Sequence, residues 1–147
     1  MKKLILLVLF ILLNSTVFSE TVSNDANYNQ NQDYVSSERP SRRKIKDEDD
    51  LLDFGYSRFR LGEAEDNFVF KTLLNKEFEV DIWAMDKRGS LGYYGSIFVS
   101  GTKRYKGNPL DRDLDEYRWC FLKVLNDNEA IIKPLGVKHD DQYFEIQ

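Results

Sequence analysis

The alternation of apolar and polar residues in the second half of the chain predicts β-strands. From Glu77 to Ala84, four apolar side chains share one face, while three acids and Trp83 share the other. A period of two residues sustained over these eight positions is typical of a strand with one buried face. No segment has a comparable helical period, although the stretch from Phe68 to Phe78 also fits a helix.

Further short strands are predicted between clusters of turn residues. They lie at Tyr56–Leu61, Asn67–Thr72, Gly95–Ser100, Lys103–Lys106, Tyr117–Leu125, Glu129–Lys133 and Gln142–Ile146. Tyr117–Leu125 is apolar on both faces except for two cations, which favours a central strand. Asn126–Asn128 is predicted to turn the chain into a hairpin with the next strand, which Pro134 and Gly136 end. Gln142–Ile146 is predicted to be a final edge strand.

Six to eight short antiparallel strands predict an all-β domain, either a small barrel or a sandwich. A closed or nearly closed barrel is favoured, because closure removes the exposed strand edges that otherwise pair with other chains. The patterned region starts at Leu51, so the predicted domain spans residues 51–147.

The first nineteen residues have the pattern of a signal peptide. Two lysines precede an apolar run of ten residues, Leu4–Leu13, and small or tolerated residues stand at Val17 and Ser19. Cleavage after Ser19 is predicted, because the run is about half the length of a membrane-spanning helix. The chain is therefore predicted to be exported to the periplasm or the medium, with membrane contact only through the uncleaved signal.

Residues 20–50 are polar and have no hydrophobic period. They end in a basic run at Arg42–Lys46 that leads directly into acids at Asp47–Asp50. Such a segment buries too little apolar surface to offset chain entropy, so a disordered linker is predicted. A docking tail or a proteolytic site is the alternative for the basic-then-acidic run.

Charge excludes one class of partner. The chain carries 21 basic and 25 acidic residues, and removal of residues 1–19 leaves 19 and 25, a net charge of −6. A nucleic-acid partner is not predicted, because phosphate binding needs an excess of lysine and arginine. An acidic balance is compatible with cationic partners.

Asp111, Asp113 and Asp115 resemble the start of an EF-hand calcium loop. That loop needs glycine and glutamate at its sixth and twelfth positions, where this chain has Glu116 and Leu122. An acidic loop is predicted instead, with a looser divalent-cation site as the alternative. No metal and no cofactor are predicted.

His139 and Cys120 are the only histidine and the only cysteine. No nucleophile motif accompanies His139, so a polar loop between two strands is predicted. Cys120 shares a strand face with Leu122 and Val124, which predicts a buried thiol that is not reactive. A single cysteine also excludes an internal disulfide, and no complete catalytic set emerges.

Three aromatic residues are candidates for a binding surface. Trp83 lies opposite the core face of its strand, where it can stack on a sugar or contact a cation, although a buried position is the alternative. Tyr93 and Tyr94 lie in the glycine-rich stretch Gly89–Gly95, which is predicted to be a tight loop that presents their rings.

Three short segments are similar to the C-terminal pattern of bacterial periplasmic C-type lysozyme inhibitors. They are Ser100–Tyr105, Tyr117–Trp119 and Glu129–Ile131. Members of that family are small exported β-barrels whose serine and lysine, on neighbouring loops, enter the lysozyme cleft. The resemblance implicates Ser100 and Lys103, while the family's cysteine pair is absent from this chain.

The sequence thus predicts an exported, non-catalytic binding protein of the cell envelope or secretome that recognises a protein or a glycan. The candidate contact residues are Trp83, Tyr93, Tyr94, Ser100 and Lys103. An inhibitor of a hydrolase such as lysozyme is the alternative. A small hydrolase that uses two carboxylates brought together by folding ranks third.

Overall fold

The predicted all-β class is confirmed. The structure is a computed structural model that describes residues 39–64 and 66–147. The described part contains one α-helix, α1 (Glu48–Asp53), and 3-10 turns at Arg42–Lys44 and Leu114–Glu116. Its eight strands are β1 (Ser57–Arg60), β2 (Phe68–Thr72), β3 (Glu77–Asp86), β4 (Leu91–Ser100), β5 (Tyr105–Gly107), β6 (Tyr117–Val124), β7 (Ile132–Lys138) and β8 (Asp141–Ile146).

The strands form two four-stranded sheets, which makes the fold a sandwich and not the favoured closed barrel. Sheet A has the order β1-β6-β3-β4, and sheet B has the order β5-β2-β8-β7. Neighbours are antiparallel except β2 and β8, which run parallel from Phe68 opposite Gln142 to Thr72 opposite Ile146. Parallel neighbours require a long crossover connection, and here the chain from β3 to β7 supplies it.

The main core lies between the two sheets. The apolar face predicted for β3 is confirmed, because its four side chains are fully buried there. Sheet B contributes Phe70 and Phe144, whose rings stack with centroids 4.9 Å apart. Phe59 of β1 meets Phe144 edge-on at 5.4 Å, so aromatic contacts join the two sheets directly. Cys120 is buried in the same core.

Three local predictions are wrong. β4 begins at Leu91 and not at Gly95, so Tyr93 and Tyr94 lie on a strand instead of in a loop. Because β6 and β7 belong to different sheets, Asn126–Asn128 connects the sheets and does not close a hairpin. β8 lies between β2 and β7, inside sheet B and not at its edge.

The end of β7 also differs from the prediction, because the strand continues past Pro134 and Gly136. The register shifts between these two residues, and Gly136 has a φ of 93°. A bulge on an edge strand accommodates both residue types, since proline lacks the N–H and glycine tolerates positive φ. Two residues, His139 and Asp140, then turn the chain into β8, which confirms the predicted polar loop.

The packed domain starts before residue 51, so the predicted linker boundary is too late. Residues 39–50 include a 3-10 turn and the start of α1. Asp47 caps α1 by accepting from the Asp50 backbone N–H at 3.1 Å, and Asp50 in turn accepts from the Lys46 N–H at 2.7 Å. The acidic run therefore supplies a helix N-terminus, where carboxylates satisfy free N–H groups and offset the helix dipole.

The C-terminus of α1 directs the next residues onto sheet A. Gly55 has a φ of 85°, and its N–H bonds to the Leu52 carbonyl at 2.9 Å, while the Tyr56 N–H bonds to the Leu51 carbonyl at 3.0 Å. These two bonds form a Schellman motif, which places the side chains of Leu51 and Tyr56 together. Both side chains are buried against the outer face of sheet A.

The predicted signal peptide and the predicted linker up to residue 38 lie outside the described residues. Within the described ranges, no helix has the length and apolar character needed to cross a membrane.

Candidate functional site

The outer face of sheet A is covered by a second, smaller core. Leu51 and Tyr56 from the N-terminal segment pack there against Trp83 of β3 and Phe121 of β6. Half-buried aromatic and aliphatic side chains surround these four residues. They are Ile45, Phe54, Met85, Leu91, Tyr93 and Trp119. The outward face of β3 is therefore covered, although the alternation of its residues is that of a strand with one solvated face.

Trp83 belongs to this second core and is not an exposed binding residue. Only 5% of its surface is exposed, and its ring lies 5.2 Å from the ring of Tyr93. Within the described residues its indole N–H makes no hydrogen bond of good geometry, although it lies close enough to the Tyr56 hydroxyl to oppose the rise in the pKa of that group. Stacking of Trp83 on a sugar would require the N-terminal segment to leave the sheet.

A buried carboxylate lies next to this core. Asp81 is fully buried and accepts three hydrogen bonds: from the Tyr56 hydroxyl at 2.6 Å, the Tyr93 hydroxyl at 2.9 Å and Arg39 Nε at 3.1 Å. These four residues are called the Asp81 cluster. Burial and the hydrogen bond to Asp81 both raise the pKa of Tyr56 and of Tyr93, so each remains a donor at neutral pH.

Arg39 makes further contacts at the rim of the Asp81 cluster. Its Nη2 donates to Glu79 Oε1 at 3.2 Å and to Ser96 Oγ at 3.3 Å. Ser96 Oγ itself donates to Glu79 Oε1 at 2.8 Å. The Arg39 and Arg42 guanidinium groups lie 5.7 Å and 4.3 Å from the centroid of the Tyr93 ring. Two guanidinium groups therefore contact the Tyr93 ring, and the carboxylates of Asp81 and Glu79 lie beside them.

Lys123 is a second cation near Asp81 and stands opposite it in the register of β3 and β6. Its Nζ donates to the Phe54 carbonyl oxygen at 2.7 Å, at the C-terminus of α1. Burial lowers the pKa of Lys123, while Asp81 acts in the opposite sense. This contact fastens the end of α1 to sheet A.

Tyr93 and Tyr94 do not form one surface, because neighbouring strand residues face opposite sides of a sheet. Tyr93 faces the Asp81 cluster, whereas Tyr94 packs against the main core. The Tyr94 and Tyr117 hydroxyl oxygens lie 3.0 Å apart, and the Tyr117 hydroxyl donates to Asp111. Both tyrosines are half-buried on β4, so neither is presented by a loop.

Ser100 and Lys103 lie together in the turn between β4 and β5. Their backbones form an antiparallel bridge, with the Lys103 N–H donating to the Ser100 carbonyl at 3.1 Å. A Cβ at Gly101 would lie 2.5 Å from the Leu74 carbonyl oxygen, so this turn packs directly on the loop between β2 and β3. Leu73 in that loop is 88% exposed and Leu74 is 42% exposed. Leu73, Leu74 and Ser100–Lys103 are called the tip.

The remaining candidates have structural roles. Asp111 is the hydrogen-bond partner of Tyr117, and no group of His, Cys, Asp and Glu in the described ranges has the arrangement of a metal site. His139 and Asp140 have φ values of 51° and 63°, as a type I′ hairpin turn requires at both positions. Cys120 is buried as predicted, and burial raises the pKa of its thiol, which favours the protonated form.

A groove of 690 Å³ lies near the start of β6 and contains none of the five candidate contact residues. It is lined by Arg60, Leu61, Gly62, Glu63, Lys87, Asp115, Tyr117 and Arg118. Three cations and two acids alternate around it, so no single sign of charge dominates.

Comparison of the chain with known protein families, with curated proteins and with solved structures finds no match. The functional conclusions therefore rest on the geometry of the tip and of the Asp81 cluster.

The sequence patterns did not identify the Asp81 cluster. Arg39 lies in the predicted linker, Tyr56 lies at the start of a predicted strand, and Asp81 is one of three acids on the polar face of β3. One signal was available, since the helix cap at Asp47 and the glycine at residue 55 bracket a short helix next to Tyr56.

Proposed function

We propose that the chain is an exported, non-catalytic binding protein that contacts a protein partner through the tip. The observation that carries the proposal is the exposure of Leu73, which is 88% accessible on a loop held against the neighbouring turn. A loop whose backbone packs against a neighbouring turn has less backbone freedom to lose when a partner buries its side chains.

The composition of the tip supports the same proposal. Leu73 and Leu74 supply apolar surface, and the neighbouring Lys103 and Arg104 are exposed cations. A small apolar centre with charged residues at its border resembles the anatomy of protein–protein contacts. The expected partner surface is apolar at its centre and acidic at its border.

Site-specific photo-cross-linking in the producing cells tests the proposal. Leu73→p-benzoylphenylalanine places the probe at the tip, and Leu135→p-benzoylphenylalanine on β7 is the matched control, because Leu135 is also an exposed leucine. We expect one discrete adduct from position 73 that Lys103→Glu weakens, and no such adduct from position 135. Equal labelling from both positions, or none from position 73, contradicts the proposal.

Inhibition of a hydrolase such as lysozyme is the second candidate function. It is favoured by the proximity of Ser100 and Lys103, although both lie in one turn here, whereas the inhibitor family uses a serine and a lysine from neighbouring loops. We expect micromolar or lower concentrations of the chain to slow a C-type lysozyme, and Ser100→Ala with Lys103→Ala to abolish that effect. A lysozyme rate that does not change even at excess of the chain eliminates this candidate.

A further inference from the structure

We propose that the outer face of sheet A carries a recognition site for the guanidinium group of an arginine on a basic peptide. The site is formed by Asp81, Glu79, Ser96 and the ring of Tyr93. Arg39 of the same chain occupies this site as an internal ligand. The site lies on the outer face of sheet A and is independent of the tip.

The arrangement of acceptors fits a guanidinium group. Arg39 Nε donates to Asp81 Oδ1, while Nη2 donates to Glu79 Oε1 and to Ser96 Oγ. Two nitrogens of the planar Arg39 guanidinium group thus donate hydrogen bonds to three oxygen acceptors. A lysine ammonium is a compact point charge and cannot reproduce this divided geometry.

The acceptors are held in place by contacts that do not involve Arg39. The Tyr56 and Tyr93 hydroxyls both donate to Asp81, and the Ser96 hydroxyl donates to Glu79. Burial and hydrogen bonding raise the pKa of both tyrosines, so they keep their protons and continue to orient Asp81. A site whose acceptors are already oriented binds its ligand at a lower entropic cost.

The ring of Tyr93 supplies the face of the site. The guanidinium groups of Arg39 and Arg42 both approach it, at 5.7 Å and 4.3 Å from the centroid. Attraction between a cation and an aromatic ring adds to the ion pairs. A ligand peptide with two arginines, spaced as Arg39 and Arg42 are, therefore matches the site best.

Arg39 can exchange with an external arginine because it enters from the solvent side. Its side chain is 43% exposed, and Glu79 at the rim is 28% exposed. A ligand tethered to its own site competes with an effective concentration of about millimolar. The apparent dissociation constant of an external ligand rises by a factor of one plus the ratio of that effective concentration to the dissociation constant of the untethered arginine. Removal of the Arg39 side chain is therefore expected to lower it by about threefold or more when the untethered arginine binds with a dissociation constant of about half the effective concentration or less.

Titration of the full chain with acetyl-Arg-Pro-Ser-Arg-amide, which copies residues 39–42, tests the inference. Binding is followed by the amide NMR shifts of Asp81, Tyr93 and Ser96 in the unaltered chain and in Arg39→Ala. We expect binding to Arg39→Ala, binding at least about threefold weaker to the unaltered chain, and a further loss when Glu79→Gln is added to Arg39→Ala. Unchanged core signals, such as that of Phe144, show that each variant is folded.

The matched control ligand is acetyl-Lys-Pro-Ser-Lys-amide, which carries the same charge without the guanidinium fork. It is expected to bind Arg39→Ala more weakly than the arginine peptide. Equal affinity of the two peptides overturns guanidinium recognition in favour of simple charge attraction. Equal affinity for the unaltered chain and Arg39→Ala overturns the occupancy of the site by Arg39. Absence of binding to a folded Arg39→Ala overturns recognition of an external arginine.

Discussion

Replacement of Trp83 by alanine tests whether this residue belongs to the core or to an exposed binding surface. The Trp83 side chain is 5% exposed and packs with Leu51, Tyr56 and Phe121, while its ring lies 5.2 Å from that of Tyr93. Truncation of a buried tryptophan costs about 3–5 kcal/mol of unfolding free energy. The lower end is expected, because Trp83 belongs to the smaller core of four buried residues and not to the main core.

A loss of about 3 kcal/mol lowers the melting temperature of a domain of this size by about 12 °C. The assay is thermal unfolding followed by circular dichroism, together with urea denaturation to measure the unfolding free energy. Trp83→Phe is the matched control, since it keeps a buried aromatic ring and removes the indole N–H. We expect it to lose about a third as much stability as Trp83→Ala, because its ring still fills most of the space.

The result that would refute this reasoning is a melting temperature of Trp83→Ala within about 2 °C of the unaltered chain, since surface substitutions usually change stability by less than about 0.5 kcal/mol. Trp83 would then face solvent, and an exposed aromatic surface on β3 would have to be reconsidered.

Three further predictions concern single features of the fold. Cys120 is buried and burial raises its pKa, so the thiol should fail to react with DTNB in the native chain and react fully in guanidinium chloride; fast native labelling contradicts this burial. The double substitution His139→Asn, Asp140→Gly should raise the unfolding free energy by about 1 kcal/mol, because asparagine and glycine adopt the two positive φ angles of a type I′ turn with less strain. An unchanged or lower urea midpoint contradicts the turn assignment. Hydrogen bonds from Lys106, which has the largest effect, and from Asn67 hold the pKa of Asp141 below its usual value. The stability that Asp141 contributes is therefore complete above about pH 4 and declines as the pH falls further. In Asp141→Asn, urea denaturation should therefore show a shallower loss of stability below about pH 4, and a loss as steep as that of the unaltered chain contradicts the pKa shift.

Strand positions were largely predictable because they depend on local alternation. The β3 pattern identifies its buried face correctly, and the apolar run of β6 identifies a strand inside sheet A. Strand partners were not predictable in the same way. The parallel pairing of β2 with β8 joins residues more than seventy positions apart, and no local pattern specifies such a contact.

The Asp81 cluster was beyond prediction for a related reason. Alternation shows that Asp81 and Trp83 share the face opposite the main core, but it does not show what covers that face. The cover comes from residues 39–56, and the charges of residues 39–50 are typical of a solvated linker. The caps of α1 were readable at Asp47 and Gly55, whereas the contact of Arg39 with Asp81 forms only through folding.

At the tip, two of the residues were identified from the sequence and two were not. Ser100 and Lys103 were identified through a resemblance, and the structure places them in one exposed turn. Leu73 and Leu74 were not identified as site residues, because two leucines in an apolar stretch are more typical of a core than of a loop. They are exposed on a loop that packs against Gly101.

The contact between Arg39 and Asp81 is central, because it closes the outer face of sheet A and fills the proposed guanidinium site. A double-mutant cycle with Arg39→Ala and Asp81→Asn, measured by urea denaturation, tests it most directly. A coupling free energy of about 1 kcal/mol is predicted, since one partner is buried and the other is partly exposed. Additive effects within about 0.3 kcal/mol would show that Arg39 does not occupy this site in solution.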